Sequence, residues 1–221
     1  NLSVIGRAGV GIDNINITQA TRKGIVVMNT PDSNTISAAE HTMALILSLS
    51  RNVNLGHYDI MKGKWNRNKL IGSELFNKSL GIVGLGKIGR EVMHRSLAFN
   101  MRIYGYDPYL SEEYFSDDDI DIVDLDYLIS NSDYITLHMP LTDKTKNLFN
   151  YDKLSKMKKS ARIINVARGG IINEQDLSRL LNENKIAGAA IDVFESEPIS
   201  NNNPLISAPN IILTPHLGAS T

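Results

Sequence analysis

Three polar side chains follow apolar runs of strand length and can meet over one crevice: Arg168 after 163–167, Glu197 shortly after 189–194, and His216 after 211–215. Open α/β sheets gather their ligands outside the carboxyl ends of the strands, so residues far apart in sequence converge there. A guanidinium at such a site holds a carboxylate or polarises a carbonyl, and an imidazole takes or gives a hydroxyl proton. A carboxylate beside an imidazole orients it and favours its charged form. Glu195 is an equally placed rival of Glu197 by composition. Each residue also has a plainer reading: Arg168 solvated at a strand end, Glu197 a surface acid before Pro198, His216 a cap of the next element. Of the other histidines, His41 and His94 fall in helical stretches and read as packing residues, and His57 reads as exposed. His138 ends a strand, where it can face a ligand but reads as structural.

The chain also holds Gly84-Leu85-Gly86-Lys87-Ile88-Gly89, set between an apolar run, 80–83, and a helical pattern leading to a second strand that ends at Asp107. The glycines alone are a weak signal; strand, glycine turn, helix, strand and terminal acid together define a dinucleotide-binding unit. Gly84 permits the tight turn, Gly86 admits a pyrophosphate to the backbone, and Gly89 brings helix and sheet close. The phosphates rest on the free N–H groups and positive end of the helix that begins near Lys87. Asp107 stands about 20 residues beyond the last glycine, the distance of an acid that accepts hydrogen bonds from the adenosine ribose. Its charge repels the extra phosphate of NADP, so NAD is the expected cofactor. Hydride exchange between a nicotinamide and a 2-hydroxy or 2-keto acid needs the cation, imidazole and carboxylate described above.

Strand and helix signals alternate around these residues from Leu80 onward. Strands are expected at 80–83, 102–106, 134–139, 161–167, 188–194 and 210–214, with helices at 87–99, near 125–130, near 152–158 and at 174–184. Such alternation folds as a parallel sheet covered on both faces, a Rossmann-type doubly wound α/β fold. Upstream, 2–5 and 25–28 read as short strands flanking a small helix around 16–22 that Gly24 ends, a unit too small to stand alone. Pro31 breaks the chain, and 37–51 reads as a helix buried on most sides. The break divides residues 1–30 from 31–221. Asp117, Asp118 and Asp119 read as a solvated turn.

Composition narrows the partners. The 221 residues carry 23 Lys and Arg against 24 Asp and Glu, net −1, which offers no basic footprint for nucleic acid or an anionic membrane. No apolar run nears the ~20 residues that span a bilayer, and no signal peptide is visible. Cysteine is absent, which excludes disulfides, thiol catalysis and thiolate-bound metal and fits a reducing, cytoplasmic setting. No two histidines have the spacing of metal ligands on a helix, so no metal is expected. The first residue is Asn1 and the opening run reads as a buried strand, so the chain is expected to be a piece of a longer protein.

Over essentially its whole length the sequence resembles the D-isomer-specific 2-hydroxyacid dehydrogenases. The resemblance is carried by Gly6-Arg7-Ala8-Gly9-Val10-Gly11-Ile12-Asp13-Asn14, Thr21-Arg22-Lys23-Gly24, Met28-Asn29-Thr30-Pro31, Gly63-Lys64-Trp65 and the glycine loop 84–89. It continues through Asn165-Val166-Ala167-Arg168-Gly169-Gly170, Asp192-Val193-Phe194 with Glu197-Pro198, and Pro215-His216-Leu217-Gly218-Ala219-Ser220-Thr221. It implies that the acid preceding proline, Glu197, is the partner of His216 and that Arg168 binds substrate. The implied cofactor contacts are Lys87 and Ile88 at the phosphates, Asp107 at the ribose, Pro140 beside the cofactor, Val166 and Ala167 along the cleft, Asp192 near the carboxamide, and Gly218. Residues 1–30 are then the last portion of a flavodoxin-like substrate domain and 31–221 the NAD-binding domain. A C-terminal helix is expected beyond Thr221, and the whole enzyme is expected to be a homodimer or homotetramer.

The substrate this resemblance implies is a 2-hydroxy acid, 3-phospho-D-glycerate, oxidised to 3-phosphohydroxypyruvate in the first committed step of serine synthesis. Arg7, with Gly9 in the same loop, and Arg67 after Trp65 are the candidates for its phosphate, against the plainer reading of solvated surface arginines. A glyoxylate, hydroxypyruvate or D-lactate dehydrogenase of the same family would need no such arginine. From another class, a NAD-sensing protein like the corepressors that share this fold and keep the catalytic trio is the alternative. The stretches 106–111 and 195–198 resemble those binding proteins, whereas Arg7-Ala8-Gly9 and Gly218-Ala219-Ser220-Thr221 resemble the enzymes.

Overall fold

The computed structural model describes residues 2–12, 14–110, 115 and 119–221. Of the residues singled out above, Asn1, Asp13, Ser111, Asp117 and Asp118 lie outside that description, and Asp119 is exposed. Two sheets share no strand. In the smaller, β1 (Val4–Gly6) and β2 (Val26–Met28) pair in parallel, joined through α1 (Ile17–Arg22). Asn16 caps α1 by accepting from the Gln19 N–H at 2.9 Å, and Gly24 turns the chain at φ +67°. Leu2, Val4, Val26 and Met28 are exposed, because two strands and one short helix cannot cover their own apolar faces.

The larger sheet has seven parallel strands: β3 (Ser79–Val83), β4 (Arg102–Tyr106), β5 (Ile120–Ile122), β6 (Tyr134–Leu137), β7 (Arg162–Asn165), β8 (Gly188–Ile191) and β9 (Ile211–Leu213). Their spatial order is β5-β4-β3-β6-β7-β8-β9. The winding reverses between β3 and β6, where Val83 stands level with Tyr106 on one side and Leu137 on the other. That reversal opens the crevice in which doubly wound sheets bind ligands.

Helices cover both faces. On one, α2 (Thr35–Arg51) and α4 (Lys87–Leu97) bury Met43, Ile46, Val92 and Met93 against Leu80 and Ile82. On the other, α5 (Leu125–Asn131), α6 (Tyr151–Leu154) and α7 (Glu174–Asn182) bury Leu128, Leu154, Leu177 and Leu180 against Val83, Ile135 and Ile163. Near-continuous apolar strands are what a parallel sheet covered on both faces requires. One strand and one α-helix go beyond the sequence reading. One is the edge strand β5; the other is α3 (Val53–Met61), which restarts after Asn52 takes φ +53° and has no buried residue. His94 is exposed on the outer face of α4, which corrects its reading as a packing residue.

Candidate active site

Between the end of β3 and the start of α4 lie only Gly84, Leu85 and Gly86. Gly84 has φ +97°, and a Cβ there would stand 2.7 Å from the His138 carbonyl oxygen across the switch point. A Cβ on Gly89 would stand 2.2 Å from the Gly84 carbonyl oxygen, so neither position admits a side chain. Gly86 differs, because nothing lies within 4 Å of where its Cβ would be. Gly86 also caps α4 with no side chain bonded to the first-turn N–H groups. Uncapped helix donors beside open space, which a Cβ would begin to fill, fit a pyrophosphate. Lys87 pairs on the surface with Asp32, and Ile88 is half-buried. Beyond β4, Asp107 is fixed by two backbone donors: Oδ2 accepts from Leu85 N–H and Oδ1 from Tyr109 N–H, both at 2.9 Å. Each oxygen retains acceptor capacity for a ribose hydroxyl.

The proposed chemistry sits at the ends of β7, β8 and β9. Asn165 shapes the first turn, donating to the Arg168 carbonyl at 2.9 Å and accepting from the Ala167 N–H at 3.0 Å. A Cβ on Gly169 would lie 1.8 Å from the Phe194 carbonyl oxygen, so the turn after β7 lies directly on the turn after β8. That second turn carries Glu197, whose Oε1 accepts from the Phe194 N–H at 3.0 Å. Its Oε2 lies 2.6 Å from His216 Nδ1. Glu195, the compositional rival, has its N–H tied to Glu174 instead.

His216 has an unusual backbone. Among the described residues, the others outside glycine with positive φ are all asparagines, whereas His216 stands at φ +54°. Such a conformation is strained by about 1–3 kcal/mol and persists where its surroundings hold it. Asp192 does the holding. Its carbonyl accepts from His216 N–H at 2.8 Å, Oδ1 from Leu217 N–H at 2.8 Å and the Thr214 hydroxyl at 2.5 Å, and Oδ2 from Gly218 N–H at 2.9 Å. Asp192 is wholly buried. In this arrangement its carboxylate supports the loop that carries His216. Gly218 packs where a Cβ would stand 2.8 Å from Val166 Cγ1, and Ala167 is half-buried beside it.

Arg168, Glu197 and His216 line one cavity of about 490 Å³ with the loop after β1, which brings Arg7 and Gly9 to the same space. Arg7 Nε donates to the Gly11 carbonyl at 3.2 Å, and Arg168 Nη1 to the Ala167 carbonyl at 2.7 Å. Pro140 is exposed after β6, its carbonyl bonded to Thr145, and its neighbour Leu141 reaches the cavity. Arg67 is not brought there: it is exposed on a 3₁₀ turn, Arg67–Lys69, that follows α3. The start of α3 lies beside Arg162 and Asn210, at the opposite ends of the strands. Asn34 was not anticipated. It lines the cavity from the N-cap position of α2 yet caps no helix N–H, and among the described residues its Oδ1 is the one buried side-chain atom without a hydrogen-bond partner. Burial pushes the His138 imidazole down to about 3, so its ring, 2.9 Å from Thr136 Oγ1, stays uncharged at neutral pH. No helix of the described residues is long and apolar enough to cross a membrane, and no group of three or more His, Asp or Glu is placed to hold a metal ion.

Residues 43–218 match the family described as D-isomer specific 2-hydroxyacid dehydrogenase, NAD binding domain, and the chain belongs to that family. NAD is the cofactor of this domain. The chain is 49% identical over 220 residues to D-3-phosphoglycerate dehydrogenase of Synechocystis sp. and 48% identical over 221 residues to that of Methanocaldococcus jannaschii. All of this chain is covered in both, but only 40% and 42% of those relatives, so the chain spans about two-fifths of their length. Its fold is similar to that of the NAD-dependent formate dehydrogenase from Staphylococcus aureus in complex with NAD, with a TM-score of 0.92 at 37% identity, covering 100% of this chain and 66% of that one.

Proposed function

We propose that the intact protein oxidises 3-phospho-D-glycerate to 3-phosphohydroxypyruvate with NAD, and that residues 31–221 form its NAD-binding domain while 1–30 belong to a substrate domain. The observation that carries this reading is the His216–Glu197 contact, which opens onto the cavity shared by Arg168 and Arg7. When bound, NAD supplies the acceptor for the hydride leaving C2 of the substrate. His216 Nε2 takes the hydroxyl proton as that bond breaks, and Glu197 holds Nδ1–H and balances the charge on the ring. Arg168 faces the substrate carboxylate. Arg7 takes the phosphate. Asp192 and Gly218 serve through the loop they hold. The charge balance and absence of cysteine support a cytoplasmic setting. Exposed Leu55, Tyr58, Ile60 and Met61 on α3, followed by Trp65, support a homo-oligomer.

The test is a panel of initial rates with NAD on 3-phospho-D-glycerate, D-glycerate, D-lactate and glycolate. The phosphorylated acid is expected to have a kcat/KM at least about tenfold above the others, as one charge-assisted contact would give. Equal use of D-glycerate would contradict the role given to Arg7.

A further inference from the structure

We propose that His41, on α2, is a positioning residue for the loop that carries His216, a proposal that rests on the reading of the site above. His41 Nε2 lies 3.2 Å from Asp192 Oδ1 and 3.4 Å from Thr214 Oγ1, reaching a carboxylate distant in sequence that is wholly buried. That carboxylate and its carbonyl hold the consecutive N–H groups of His216, Leu217 and Gly218. One turn earlier on α2, Ser37 Oγ lies 2.6 Å from Thr221 Oγ1, so one face of the helix grips both ends of the segment 214–221. Asn34, one further turn back, faces the cavity itself. The oxygens of a buried carboxylate need hydrogen-bond partners to stay fixed, and His41 supplies one from the helix. His41 is not among the residues that line the cavity of Arg168, Glu197 and His216. It acts through Asp192 on a backbone held at φ +54° at His216, a conformation that relaxes when its restraints are removed.

The test compares His41→Leu, which removes the donor, with His41→Gln, whose amide N–H can take the place of Nε2–H, in the full-length enzyme. Small displacements of a proton-transfer group act on the chemical step more than on binding. His41→Leu is therefore expected to lower kcat about 10-fold to 100-fold with KM for 3-phospho-D-glycerate changed less than about threefold, and His41→Gln to restore kcat to within about threefold of wild type. Hydrogen exchange of the Leu217 and Gly218 amides, measured without cofactor or substrate, is expected to accelerate in His41→Leu and return towards wild type in His41→Gln. This readout is independent of turnover, so it distinguishes failure of the positioning role from failure of the proposed reaction. Should His41→Leu not fold, His41→Asn, with an amide too short to reach Asp192, takes its place. Unchanged exchange and kcat in the donor-less variant, or equal losses in His41→Gln and His41→Leu, would overturn the proposal.

Discussion

His216 Nδ1 and Glu197 Oε2 stand 2.6 Å apart and join the turns after β8 and β9. The contact fixes which imidazole nitrogen is spent on the protein and which is left for the cavity. Glu197 is itself oriented by the Phe194 N–H, so ring, acid and backbone form a chain of directed hydrogen bonds. The imidazole is about half exposed, and ordering by Glu197 is what distinguishes it from a freely rotating surface histidine.

Removing either member should show that the two act as a unit. His216→Ala is expected to lower kcat by about 10²–10⁴ while NADH binding, followed by fluorescence, stays within a few-fold of wild type. Glu197→Gln should cause a smaller loss, and the double variant should be no slower than His216→Ala alone, since an orienting acid has nothing to orient once the ring is gone. Additive losses would mean that Glu197 works independently of His216.

The glycine loop separates packing from binding. At Gly89 a Cβ would meet the Gly84 carbonyl oxygen at 2.2 Å, so Gly89→Ala should destabilise the fold by about 1–3 kcal/mol in denaturant titration. Gly86 has open space, so Gly86→Ala should change stability by less than about 1 kcal/mol yet weaken NADH binding at least several-fold. Tight NADH binding by Gly86→Ala would place the pyrophosphate elsewhere.

Asp107 should discriminate between cofactors. Wild type is expected to bind NADH well and NADPH poorly, and Asp107→Ser to narrow that gap by removing the repelling carboxylate. Because Asp107 also accepts from the Leu85 and Tyr109 N–H groups, the variant should lose some NADH affinity as well. Equal wild-type affinities for the two nucleotides would refute the assignment.

His138 gives the fold an acid sensitivity of defined sign. The folded chain keeps its imidazole down at about 3, against 6.5 for the free side chain. As pH falls below 6.5, the unfolded chain gains a proton that the folded chain refuses, so this group lowers stability by at most about 1.4 kcal/mol per pH unit down to about 3. Thermal midpoints between pH 7 and 4.5 should fall less steeply for His138→Gln than for wild type. Parallel slopes would show that the ring titrates normally.

The parallel sheet was legible because strands buried on both faces are nearly continuous apolar runs, as in 80–83 and 161–167, and because their polar punctuation marks the ligand edge. Gly84, Gly86 and Gly89 were legible by spacing. Three-residue β5 was not, since Ile120, Asp121 and Ile122 at a sheet edge carry too short a pattern to separate from a loop. Helix α3 was hidden by Asn52, whose left-handed conformation reads as an ending although the chain resumes a helix. The place of Asn34 in the cavity and the meeting of His41 with Asp192 are brought about by the fold, and no local spacing announces them. Arg67 was drawn to the site by its nearness in sequence to Trp65, which the path of the chain after α3 does not support.

The most direct test of the account is single-turnover formation of NADH from 3-phospho-D-glycerate by the full-length enzyme, wild type and His216→Ala, with NAD saturating in both. The account expects a rapid burst in wild type and one slowed at least about 100-fold in the variant, with NAD still bound. A burst of equal rate in the two would contradict it, because proton removal would then be the work of some group other than His216.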